Sequence, residues 1–186
     1  MPTGRLALYA DPLAASTTDA VFALSYFPED ERVLLYSDKG GNELTHLYVR
    51  ELDSTLKDIT PGENLKAFFI GFAQDNRSFF IAHNQRDARF FDVYELDTKT
   101  YQPKLIYKNT DGLEIAAISP DKRFLALMKT ESTSDHSIFL FDTKTQTMKN
   151  LTPHEGDVAN FPQTFSPDGK ELYYLTNQDN EFLYLV

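Results

Sequence analysis

The chain has four histidines, His46, His83, His136 and His154, all isolated from one another and none within a His-Glu-x-x-His pattern. The paired ligands that a zinc hydrolase sets on one helix face are therefore missing. The densest polar group is His154-Glu155-Gly156-Asp157. Imidazole and carboxylates so close together suit a metal or a proton relay, yet this stretch reads as a connection between strands, where polar residues are ordinary. Glu29-Asp30-Glu31 offers paired carboxylates of the kind a glycosidase uses. Here they fall in a tight turn, where solvated acids are expected. Glycines stand at 4, 40, 41, 62, 71, 112, 156 and 169, and no pair brackets a serine as Gly-x-Ser-x-Gly, the elbow that exposes the nucleophile of an α/β-hydrolase. With no cysteine, thiol chemistry and disulfides are excluded. The sequence supports no catalytic residue, no metal site and no cofactor. Four polar loops remain as places for specific contacts: residues 39–43, 84–87, 131–135 and 177–180. Within them Asn42, Glu43, Asn84, Arg86 and Asp87 are the candidate contact residues. Arg86 can clamp a carboxylate of a peptide or of a partner domain, and it can equally pair with its neighbour Asp87.

The elements that would carry those loops follow from one repeated unit. Ser166-Pro167-Asp168-Gly169-Lys170 leads into Leu172-Tyr173-Tyr174-Leu175. Pro presets φ, Asp bonds its own backbone, Gly takes the φ > 0 position, and an apolar strand follows. Ser119-Pro120-Asp121-Lys122-Arg123, Ala73-Gln74-Asp75-Asn76-Arg77 and Phe27-Pro28-Glu29-Asp30-Glu31 repeat the unit, so that its second position falls at 28, 74, 120 and 167. A period of 46 or 47 residues with four short strands per period is the mark of a β-propeller blade.

The expected architecture is all-β, built of four-stranded antiparallel blades at about 20–60, 67–107, 113–152 and 158–186, preceded by a lone strand at 5–9. Strands are expected at Val21–Tyr26, Val33–Tyr36, Leu47–Leu52, Leu56–Thr60, Ala67–Phe72, Phe79–Ala82, Phe91–Leu96, Lys104–Tyr107, Glu114–Ile118, Phe124–Met128, Ile138–Phe141, Met148–Thr152, near Phe165, at Leu172–Thr176 and at Phe182–Val186. The second strand of each repeat is apolar on both faces, as a sheet sandwiched between neighbours requires. The strand Arg5-Leu6-Ala7-Leu8-Tyr9 resembles Lys104-Leu105-Ile106-Tyr107 and could complete the last blade as its fourth strand, which would close four blades into a small ring. The favoured alternative is a segment of a larger propeller, because the break after Val186 falls inside a strand pattern. Open blade edges in such a segment leave room for self-association.

Composition narrows the partners. A net charge of −10, with 18 Lys and Arg scattered among 28 acids, argues against nucleic acid. No apolar run approaches the ~18 residues of a membrane-spanning helix, and Met1-Pro2-Thr3-Gly4 does not open a signal peptide. Hydrophobic content of 41% with 13% aromatic residues fits a packed core.

The Ser-Pro-Asp-Gly-Lys repeat, the third strands closing at Asp53, Asp97 and Asp142, and Leu151-Thr152-Pro153 are similar to TolB-type propeller repeats. The Gly-His and Trp-Asp signature of WD-type repeats is absent, and the chain has no tryptophan. Ser37-Asp38-Lys39-Gly40-Gly41-Asn42-Glu43-Leu44, Thr60-Pro61-Gly62-Glu63 and Thr152-Pro153-His154-Glu155-Gly156-Asp157-Val158 further resemble the N-terminal propeller of bacterial prolyl oligopeptidase-family serine peptidases of the acylaminoacyl-peptidase and dipeptidyl-peptidase kind. That resemblance implies a non-catalytic module that gates peptide access to an α/β-hydrolase domain supplied C-terminally. Its partners would be a peptide substrate and that domain, in a bacterial cytoplasm or periplasm. A free-standing TolB-like propeller that binds a protein partner is the alternative.

Overall fold

The computed structural model describes residues 19–186; the strand expected at 5–9 lies outside them. The chain divides into two compact units, Met1–Pro61 and Gly62–Val186. Among the described residues all regular structure is β, with no helix.

The first unit holds one antiparallel sheet in the order β1 (Val21–Tyr26), β2 (Val33–Ser37), β3 (His46–Arg50), β4 (Leu56–Asp58). The second unit holds three sheets. One runs β5 (Ala67–Phe72), β6 (Ser78–Asp87), β7 (Phe90–Asp97), β8 (Pro103–Tyr107), and the next β9 (Glu114–Ile118), β10 (Phe124–Thr130), β11 (His136–Asp142), β12 (Thr147–Asn150). The last has three strands, β13 (Asn160–Phe165), β14 (Leu172–Thr176) and β15 (Tyr184–Leu185). Each sheet is an up-and-down meander whose neighbours in sequence are neighbours in space, the β-propeller blade expected from the period.

The repeated turn works as its residues predict. In all four sheets the first hairpin closes the same way: the N–H of Phe27, Ala73, Ser119 and Ser166 donates to the carbonyl of Arg32, Ser78, Phe124 and Glu171. The Asp75, Asp121 and Asp168 carboxylates each accept the backbone N–H two residues on. Gly169 takes φ +70°, and the same position in the two preceding repeats is filled by Asn76 at +57° and Lys122 at +63°.

The Asp that closes the third strand of the second and third sheets caps the next hairpin. Asp97 Oδ1 accepts the N–H groups of Lys99 and Thr100, and Asp142 Oδ1 those of Lys144 and Thr145. The Thr-Pro that ends the first and third blades has an equally local cause. The Thr60 and Thr152 hydroxyls accept the N–H of Leu47 and Ile138 at 2.9 Å, prolonging the ladder by one bond before proline ends it.

Burial follows the second strands. Leu125, Ala126 and Leu127 of β10 are all fully buried, and since consecutive residues face opposite ways, both faces of that sheet are covered. On one face Leu125, Leu127 and Phe141 pack with Ala82, Val93, Tyr107 and Leu113, bringing the Tyr107 and Phe141 rings to 4.9 Å. β14 is only half-buried.

Several boundaries depart from the sequence expectation. β6 runs on to Asp87 and forms a hairpin with β7 (Asp87 opposite Phe90), so residues 84–87 lie in a strand and not in a loop. The first strand of the last sheet begins at Asn160, well before Phe165, because Asn160 pairs with Thr176. β15 keeps only Tyr184–Leu185 of the expected 182–186.

Candidate functional site

The first strand of every sheet carries a β-bulge at one place. The ladder skips Leu24 in β1, Ile70 in β5, Ala116 in β9 and Gln163 in β13. The positions are again 46, 46 and 47 residues apart, so the bulge belongs to the repeat. Bulges bend a strand and re-aim side chains, and they gather next to binding sites.

In the second unit three of these bulges converge. Ile70-Gly71-Phe72, Ala116-Ala117-Ile118 and Gln163-Thr164-Phe165 line one cavity of about 310 Å³, together with turn residues such as Gln74, Pro120 and Lys122. Its volume sits at the low end of the ~300–1,000 Å³ typical of small-ligand sites. Lys122 is the charged residue at its wall. A lysine in the left-handed region carries a backbone cost of about 1 kcal/mol, and its contacts indicate what that geometry achieves. Nζ donates to Asp75 Oδ2 (2.9 Å), Ser78 Oγ (2.9 Å) and Glu95 Oε1 (3.0 Å), tying the turn of one blade to two strands of the preceding one. Ser78 donates in turn to Glu95 at 2.7 Å. Partial burial opposes the charge, but these bonds, led by the one to Asp75, outweigh it and raise the pKa of the ammonium. Lys122 was not singled out in the sequence, although a lysine in the glycine column of a repeated turn was there to be noticed.

A second cavity, of about 410 Å³, is lined by Phe68, Phe91, Leu113, Arg89, Glu114 and Asn109 among others. Its wall is held by a network that ties the exposed Arg86 to the buried Asp92 and Asn109. Arg86 Nε and Nη2 donate to Asp92 at 2.7 and 2.8 Å, and Nη2 also bonds the Asn109 carbonyl. Asp92 Oδ1 accepts the Asn109 N–H at 2.8 Å, and the Asn109 side chain closes the turn at Gly112 and Leu113.

The candidate residues read from the sequence divide between the two units. In the first, the Asn42 side chain caps its own turn by accepting the Leu44 N–H at 3.0 Å, and Glu43 sits at φ +60° with its N–H on Asp38. In the second, Asn84, Arg86 and Asp87 share the end of β6. Asn84 is buried and pins the chain on both sides, accepting from the Lys66 N–H and donating to the Ala88 carbonyl. Arg86 pairs with Asp92 and not with Asp87. Asp87 instead takes Arg89, at 2.9 and 3.0 Å, which lowers its pKa to about 2. The register of β6 against β7, with His83 opposite Asp92, brings Arg86 and Asp92 together. Local spacing carried no sign of it.

His154 and His46 have local roles. His154 bonds Asp135 and the Thr152 carbonyl, and His46 bonds Asp58 at 2.9 Å. Among the described residues no three His, Asp or Glu side chains converge as a metal-ligand set.

Fold and site together define a chain of β-propeller blades. No protein-family profile matches the chain. It is 27% identical over 157 residues to dipeptidyl aminopeptidase BIII of Pseudoxanthomonas mexicana, a match covering 81% of this chain and 22% of that protein. Among solved structures, a prolyl endopeptidase superposes with a TM-score of 0.68 at 12% identity, over 94% of this chain and 27% of that one. A putative TolB from Agrobacterium tumefaciens superposes with a TM-score of 0.56 at 20% identity, over 90% and 57%. The resemblance read from the motifs therefore holds: the chain resembles the N-terminal propeller region of prolyl oligopeptidase-family peptidases, and TolB shares its fold. It spans about a fifth of the curated relative's length.

Proposed function

We propose that this chain is the non-catalytic propeller module of a bacterial serine peptidase of prolyl oligopeptidase type. In that reading it admits short peptides to an α/β-hydrolase domain carried by the same protein and docks against that domain. The observation that carries the reading is the match to a dipeptidyl aminopeptidase along most of this chain but little of that protein, with no Gly-x-Ser-x-Gly in this sequence. Selection would be steric, with the blades admitting an extended peptide and excluding a folded domain. In prolyl endopeptidases inter-domain dynamics have a role in catalysis and specificity, and a propeller that docks on and parts from its hydrolase would supply such a motion here. The contact candidates Asn42, Glu43, Asn84, Arg86 and Asp87 would act from the blade ends. Asn84 and Arg86 would do so by holding the β6–β7 hairpin in shape, since their polar atoms are already bonded within it.

The test is to read the natural reading frame on both sides of this sequence and assay its full product. A downstream Gly-x-Ser-x-Gly, with cleavage of short peptides but not of folded proteins, is the expected result. A frame without a hydrolase domain overturns the reading and favours a free-standing, TolB-like propeller that binds a protein partner, for which the TolB superposition is the support.

A further inference from the structure

The cavity at the bulged strands has a property that reaches beyond a passive gate. β5, β9 and β13 each stand at the end of their sheet's order, so no strand pairs with their outer edge among the described residues. An unpaired edge presents a row of backbone donors and acceptors to whatever enters. The three edges are not equivalent. β13 contains Pro162, which has no N–H, and the Gln163 side chain donates back to the Phe161 and Pro162 carbonyls. Both features blunt that edge. β5 carries the bulky Phe69 and Phe72, whose rings pack at 5.2 Å. β9 has no proline and offers Ala116 and Ala117 to the cavity, with Gly71 of β5 also lining it. Side chains this small leave the backbone within reach. The wall is also electrically quiet, since the Lys122 ammonium is spent on Asp75, Ser78 and Glu95. A charged ligand would lose its hydration here and find no counter-charge, whereas a neutral backbone would lose little.

We propose that this groove binds an extended, uncharged stretch of peptide that adds as a strand to the free edge of β9. The ligand's hydrogen bonds run from main chain to main chain, so binding depends on conformation and on small neutral side chains and only weakly on sequence. The proposal deepens the peptide-selecting role argued above and rests on it for the source of the ligand: a substrate would be held in extended form on its way to the catalytic domain.

Gly71 supplies a clean variant. A Cβ built on it meets nothing within 4 Å and its φ is not in the left-handed region, so Gly71→Leu should fold and fill the groove. The ¹⁵N-labelled chain is titrated with acetyl-Thr-Val-Thr-Val-Thr amide, and with the same peptide N-methylated at alternate residues. Saturable shifts confined to the amides of residues 70–72 and 115–118 are expected, with affinity falling roughly tenfold or more on N-methylation and in Gly71→Leu. If that variant does not fold, Ala116→Leu at the bulge serves in its place, and the N-methyl comparison needs no variant at all. No shifts at about 5 mM peptide, or affinity kept within about twofold after N-methylation, overturns the proposal. A negative result on the isolated chain leaves the peptidase reading standing, and a reading frame without a hydrolase leaves this binding standing, so the two fail separately.

Discussion

Two hydrogen bonds favour the protonated state of His154. Its Nδ1 meets the Thr152 carbonyl at 2.7 Å and its Nε2 meets Asp135 Oδ1 at 2.8 Å. The carbonyl accepts, and so does Asp135 when ionised, an arrangement that favours hydrogen on both ring nitrogens. The Asp135 carboxylate, with help from the carbonyl, raises the pKa of His154 above its usual 6.5. Asp135 is the acid bonded to the ring; Glu155 adjoins it in sequence, and Asp157 is occupied by Ser134 at 3.1 Å. A histidine whose folded pKa is raised contributes stability that is fully present below its unfolded pKa and is lost as pH rises through the folded one. His83 acts in the opposite sense, since burial lowers its pKa, and only a difference against a variant isolates His154. Urea unfolding of wild type and His154→Gln at pH 6 and pH 8.5 should show the wild-type advantage shrinking at the higher pH, from about 1 kcal/mol. An advantage that is constant or grows with pH would mean the ring is neutral. This pairing was invisible in the sequence because Asp135 lies on the far side of two strands from His154. Arg86 teaches the same lesson: its neighbour Asp87 was the obvious partner, and strand register gave it Asp92.

Elements were far more legible, because each is set by residues close to one another. β5, β9 and β14 occupy the expected residues, since a turn and an apolar run bound each of them. β6 outran its expectation because Asn84, Gln85 and Arg86 are polar and still belong to a hairpin, where pairing with β7 and the Asn84 bonds outweigh composition. The bulges left no mark that could be read without the pairing partner, even though they recur with the period of the repeat. The Thr-Pro at the end of the third blade allows a direct test at this scale. The Thr152 hydroxyl is the acceptor for the N–H of Ile138, a residue with no exposure. Thr152→Val keeps the shape and orphans that donor, which should cost about 1–3 kcal/mol. Thr152→Ser retains the acceptor and should recover most of the loss, in midpoints of urea unfolding followed by circular dichroism. Equal losses in the two variants would assign the effect to packing of the Thr152 methyl.

For the whole molecule, charge and one open edge pull in opposite directions. The chain carries 28 acids against 18 bases, and like charge keeps copies apart at low salt. The outer edge of β15, by contrast, has no partner strand among the described residues. Around it Phe182 (72% exposed), Leu183, Tyr184, Leu185 (62%) and Val186 all face solvent. The backbone of β15 is already aligned, with Tyr174 and Val186 exchanging two hydrogen bonds at 2.9 and 3.0 Å. An aligned, apolar, unpaired edge is a template for another strand, and natural sheets guard such edges with charge, proline or a cover. Phe182-Leu183-Tyr184-Leu185-Val186 has no charged side chain and no proline. Copies of this 186-residue chain should therefore associate edge to edge, more strongly as salt screens their repulsion, since the Debye length falls from ~30 Å at 0.01 M to ~8 Å at 0.15 M. Sedimentation equilibrium should show a weight-average mass that rises with protein and with salt. Leu185→Lys, which places a charge on the exposed edge, should return the chain to monomer with its unfolding midpoint changed by less than about 0.5 kcal/mol in stability, as for an ordinary surface substitution. A mass that stays monomeric at every concentration and salt would show that another strand already covers β15. The search would then turn to which strand fills the fourth place in that blade.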